Sequence, residues 1–105
     1  MELTLDTEKF DEHQEIFVEE IIRSIAAKLI ESGLQGLEME NLTAEIAFSV
    51  ASILDDTTQI ESDGVEVRPY LTFRASDDEI VHCGENAYTY ELVTPILNRV
   101  FPPKG

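Results

Sequence analysis

The sequence predicts an α+β fold: two N-terminal helices, an antiparallel β-meander of two or three strands and a C-terminal helix, with the helices on one sheet face. Three observations carry that prediction. Two long stretches repeat apolar side chains at helical spacing before residue 55, residues 65–74 alternate apolar and polar around an Asp63-Gly64 turn, and a third helical row closes the chain. The length of 105 residues fits one domain spanning 1–105, large enough to hold a core without staples.

Met1, Leu3 and Leu5 alternate with Glu2 and Thr4, a short strand signal. From Thr7 to Ser32, Phe17, Ile21, Ile25 and Leu29 form one i+4 row, and Val18, Ile22, Ala26 and Ile30 form the next. Together they make a broad apolar stripe. Thr7 is the expected N-cap, and Gly33 the expected stop. The polar face carries Glu8–Glu12, Asp11–Glu15 and Glu15–Glu19, all like-charged i,i+4 pairs, so packing must hold this helix together.

A connector from Gly33 to Asn41 leads to a second helix, capped by Asn41 or Thr43 and running to Leu54. It is apolar on nearly every side, which predicts burial on most faces or a subunit interface. Thr57–Glu61 reads as a strand, and Asp63-Gly64 as a hairpin turn. Val65, Val67, Leu71 and Phe73 alternate with Glu66, Arg68, Thr72 and Arg74, as in a half-buried strand. Pro69 argues for an edge or bulge there. Ser76-Asp77-Asp78 turns the chain into a strand over Glu79–Cys83. Tyr88, Leu92, Ile96 and Val100 then share a helical row, with Pro95 expected to kink it or to start a new turn after Thr94. Residues 101–105 read as a tail.

Charge bounds the function. Twenty-two Asp and Glu stand against seven Lys and Arg, for a net charge of -15. Residues 1–24 hold eight of the acids, and residues 43–64 hold five with no base. Such a surface repels nucleic acid and anionic membranes, whose binding depends on cations, and attracts a basic partner. No stretch approaches the ~20 apolar residues of a membrane span. The N-terminus shows no basic, apolar leader pattern, and Cys83 is the lone cysteine, so a cytoplasmic location is expected.

Chemistry-bearing motifs are scarce. His82 and Cys83 adjoin, but strand neighbours point to opposite faces, so they make no nucleophile–base pair. CxxC and HExxH spacings are absent. The acidic loop 55–64 puts Tyr70 where a calcium loop needs Glu. No cofactor or metal is expected. One local rule is broken: Asp55 and Asp56 follow the second helix, at the end whose dipole disfavours anions. Gly84–Glu91 brings polar and aromatic groups to a helix start, where an anion can bind. Arg68, Arg74 and Arg99 are scarce cations that pair with internal acids or mark an anion site.

The expected function is therefore non-enzymatic contact with a basic protein partner, in an adaptor, inhibitor or immunity/antitoxin-like role. Glu12, Glu15, Glu19, Asp55, Asp56 and Asp63 are the expected partner-binding residues. The other reading is a small enzyme or ligand-binding module with a pocket near His82, Tyr88 and Arg68. Homodimerisation is also expected, because one small sheet leaves apolar helix surface uncovered.

Overall fold

The computed structural model describes residues 1–103. The elements are β1 (Glu2–Leu5), α1 (Thr7–Glu31), α2 (Gly36–Leu54), β2 (Ile60–Ser62), β3 (Val65–Val67), β4 (Phe73–Ser76), β5 (Glu79–His82) and α3 (Thr89–Val100). The α+β class holds, with three helices and their strands. Of the expected tail, Lys104 and Gly105 lie outside the described residues.

The sheet departs from a simple meander. Two sheets form: a three-stranded one in the order β1-β5-β4, and a separate β2-β3 hairpin. β4 and β5 are antiparallel, but β1 runs parallel to β5 at the sheet edge. The expected strand from Val65 to Arg74 is split, because Pro69 has no N–H for a ladder and the chain leaves the hairpin there.

Burial of β1 is the reverse of what its alternation predicts. Met1, Leu3 and Leu5 are 60–65% exposed, while Thr4 is half-buried. Register explains this. Thr4 lies beside Val81, which packs on Phe10 of α1, whereas Leu3 and Leu5 lie beside Ile80 and His82 on the opposite face.

α1 alone packs on the sheet, through Phe10, His13 and Phe17 against Phe73. α2 and α3 complete a three-helix bundle with α1 and touch no strand. Its core is Val18, Ile22, Ala47, Ala51, Val93 and Ile96. The N-cap of α1 is Asp6 rather than Thr7, its carboxylate accepting from Lys9 N–H at 3.0 Å. α2 starts at Gly36, about two turns earlier than expected. α3 runs through Pro95 without ending.

Candidate functional site

Two features stand out from residues upward: the buried start of α3 and the exposed β2-β3 hairpin. At the first, Asp55 follows α2 and is only 5% exposed. Its Oδ1 accepts from Thr89 N–H at 2.9 Å and from Thr89 Oγ1 at 2.7 Å, and its Oδ2 accepts from Tyr90 N–H at 2.9 Å. The preceding N–H, of Tyr88, donates to Gln14 Oε1 at 2.9 Å. Gln14 is fully buried on α1, and its Nε2 has no hydrogen-bond partner among the described residues. The anion expected at this helix start is thus the protein's own carboxylate. Asp55 is not a partner-facing residue, which corrects the sequence expectation. A groove of about 480 Å³ lies beside it, lined by Ser52, Thr57, Asn86, Tyr88, Tyr90 and others.

Asp56 takes the left-handed conformation at φ 60°. Its carboxylate, with the side chain 8% exposed, accepts from Arg68 Nε at 2.9 Å. Asp56 is therefore also occupied internally. This ion pair ties the base of the hairpin to the end of α2.

Beyond that tie the hairpin stands alone. Among the described residues no other helix or strand packs on β2 or β3. The radius of gyration is 15.7 Å, against ~13 Å for a compact domain of this size, as a projecting arm requires. Pairing is Ile60↔Val67, Glu61↔Glu66 and Ser62↔Val65. Alternation puts Ile60, Val65 and Val67 toward one face, and Glu61 and Glu66 toward the other. Val65 is 63% and Val67 49% exposed. Glu61 and Glu66 face each other directly, and the nearest cation, Arg68 Nε, stands 4.0 Å from Glu66. Asp63 caps the tip at φ 51° and is exposed. A hollow of about 350 Å³ between the hairpin and the segment leading into it is lined by Asp56, Gln59, Glu61, Glu66 and Arg68 among others.

The three acids expected on α1 divide. Arg99 of α3 bridges Glu15 at 2.8 Å and Glu19 at 3.0 Å, and Arg23 adds a contact to Glu19 at 3.3 Å. The hydrogen bond from Arg99, then that from Arg23, holds the Glu19 carboxyl below the usual carboxylate range. The same bridge raises Arg99, through Glu15 first and Glu19 second. Glu12 is exposed and, among the described residues, forms no ion pair.

His82, Tyr88 and Arg68 share neither hollow: Tyr88 lines the groove by α3, Arg68 lines the hollow under the hairpin, and His82 lines neither. His82 Nδ1 accepts from Gly84 N–H at 3.1 Å and meets Tyr70 Oη at 3.0 Å. A neutral ring with its proton on Nε2 satisfies this arrangement. Cys83 Sγ donates to Glu85 O at 3.2 Å, and its side chain packs beside the Phe10 cluster. Among the described residues no group of three His, Cys, Asp or Glu is placed to hold a metal ion. None of their helices is long and apolar enough to cross a membrane.

Comparison with protein-family models, curated proteins and solved structures finds no match to this chain.

Sequence reasoning missed Glu61 and Glu66 as a pair. The signal was present: a two-residue Asp63-Gly64 loop fixes 62 opposite 65 and 61 opposite 66.

Proposed function

We propose that this chain is a non-enzymatic interaction module that binds a basic protein partner, with the β2-β3 hairpin as its recognition arm. The observation that carries this reading is the directly opposed, exposed pair Glu61 and Glu66 on a hairpin on which, among the described residues, no other helix or strand packs. Like charges placed opposite across two strands destabilise them. An isolated two-stranded hairpin is marginal in water. Local conflict of this kind concentrates at functional positions. A partner's Lys or Arg between the two carboxylates relieves the repulsion.

Asp63 at the tip and Glu12 on α1 add to the field that steers a cationic partner. Glu15 and Glu19 contribute less, since Arg99 offsets them, and Asp55 and Asp56 act inside the fold. Adaptor, inhibitor and immunity/antitoxin-like roles all use such an arm.

The test is capture of a partner from native lysate on the immobilised chain at low and moderate salt. A stoichiometric basic protein, released by salt and not retained by the Glu61→Gln/Glu66→Gln variant, is the expected result. Retention that ignores both salt and the double substitution refutes the reading.

A further inference from the structure

The turn of the β2-β3 hairpin fixes which backbone groups the hairpin leaves unused. Asp63 at φ 51° and Gly64 at φ 81° make a two-residue turn of type I′. Such a loop is closed by a hydrogen-bonded pair, here Ser62 and Val65, so the next pair, Glu61 and Glu66, is a non-hydrogen-bonded one. The N–H and C=O of Glu66 therefore point away from β2, along the outer edge of β3. Among the described residues no backbone group outside the hairpin bonds to them, and no third strand joins this sheet. Val65, Glu66 and Val67 are all exposed.

We infer that the basic partner adds a strand to the outer edge of β3, and that this strand carries one Lys or Arg with an apolar residue on either side. The inference rests on the reading of the hairpin as a recognition arm and names the partner's chemistry. The two faces of the hairpin select this occupant. Glu61 and Glu66 lie on one face and Val65 and Val67 on the other, so an element docked on either face meets only one kind of group. An added strand meets both, because its side chains alternate between the faces. In antiparallel pairing the residue opposite Glu66 exchanges both hydrogen bonds with it and shares its face. A cation there stands beside the Glu66 carboxylate, and its long side chain leans toward Glu61. The residues before and after it fall on the other face, beside Val65 and Val67. Arg68 limits the motif: it follows Glu66 by two residues on the same face, so a second cation at that end is repelled.

One pair of backbone hydrogen bonds and two valine contacts make a short interface, so an isolated peptide is expected to bind only in the millimolar range. The backbone bonds separate this inference from the broader reading. A partner held by the carboxylates alone leaves the Glu66 N–H open to water, whereas an added strand takes it up.

NMR of the full chain with the end-blocked peptide Thr-Val-Lys-Val-Thr tests the inference. The control is Val-Thr-Lys-Thr-Val, which has the same composition and charge but carries its valines on the face of the lysine. The expected result is that the first peptide shifts the β3 resonances and, at saturation, slows solvent exchange of the Glu66 N–H about fivefold, while the control binds several times more weakly. Glu66→Pro removes the outward N–H without removing a ladder bond, and is expected to abolish binding. Glu61→Pro, which closes the β2 edge instead, is expected to bind like Glu61→Gln. The exchange of the parent chain decides the matter even where Glu66→Pro loosens the hairpin. No binding at millimolar peptide overturns the inference, as does binding that leaves the Glu66 N–H unprotected, or equal binding of the two peptides. These results leave the basic-partner reading standing, since that reading fails only when capture from lysate ignores salt and Glu61→Gln/Glu66→Gln.

Discussion

Asp55 at the end of α2 caps the start of α3: its Oδ1 stands 2.7 Å from Thr89 Oγ1 and 2.9 Å from Thr89 N. An aspartate at a helix C-terminus opposes the local dipole, yet the same carboxylate sits at the N-terminus of another helix, where the dipole favours it. With Gln14 on the N–H of Tyr88, one side chain from α1 and one following α2 hold the N–H of the residue before α3 and the first two N–H groups of α3 itself. The bundle is thus joined by polar contacts at one end as well as by its apolar core.

Removing that cap is expected to cost stability. Asp55→Ala leaves the buried Thr89 N–H, the partly buried Tyr90 N–H and the Thr89 hydroxyl without their carboxylate. The cost should be about 2–3 kcal/mol, the sum expected for a lost cap and a stranded buried donor. Asp55→Asn keeps an acceptor and should cost less than half of that. Thermal melts followed by circular dichroism check both, and equal melting temperatures for Asp55→Ala and the parent chain would contradict the assignment.

The ion pair between Arg68 and Asp56 has a different expected effect. Arg68 is largely exposed, so the pair adds under ~1 kcal/mol to global stability. Its role is to hold the hairpin. Arg68→Ala should lower the melting temperature by no more than about 4 °C, the shift that about 1 kcal/mol produces in a domain of this size. Amide exchange over Ile60–Val67 should accelerate markedly while that of the bundle stays constant. Unchanged hairpin exchange would show that the tether does not matter.

The Arg99 bridge has a pH signature. The folded-state value of Glu19 is lowered, chiefly by the hydrogen bond from Arg99. Its contribution is therefore full above the ordinary carboxylate value and is lost as pH falls through the lowered one. In an NMR titration Glu19 should protonate at higher pH in Arg99→Gln than in the parent chain, and the substitution should narrow the acid side of the stability profile.

How much of this was legible differs by element. The helical rows of α1 and α3 and the Asp63-Gly64 turn were readable, because each rests on local periodicity or turn chemistry. β1 was legible as a strand but not in its facing. Which side of Met1–Leu5 turns inward depends on register against Val81, some eighty residues away. Asp55 was flagged by its clash with the α2 dipole, but its partner lies 34 residues on, and no local pattern names it. Arg99 likewise reaches back across 84 residues to Glu15. Sequence therefore marked the acids well and sorted them poorly, since burial and pairing decide which carboxylates remain for a partner.

That sorting leads to the hairpin. If Glu61 and Glu66 were merely solubilising, replacing both with Gln would change little beyond net charge. If they form a recognition pair, Glu61→Gln/Glu66→Gln should move two quantities in opposite directions. Relief of the cross-strand repulsion should stabilise the hairpin by a few tenths of a kcal/mol, read as slower amide exchange over β2 and β3. Affinity for the basic partner should fall at least tenfold, with a shallower dependence on salt. A control that removes two acids away from the hairpin, Glu38→Gln/Glu40→Gln, changes net charge by the same amount. It should lower the association rate slightly and leave dissociation unchanged, because distant charges steer an encounter while contacting ones hold the complex. Equal effects from the two double variants would reduce the acidity of this chain to a general field and remove the hairpin from the interface.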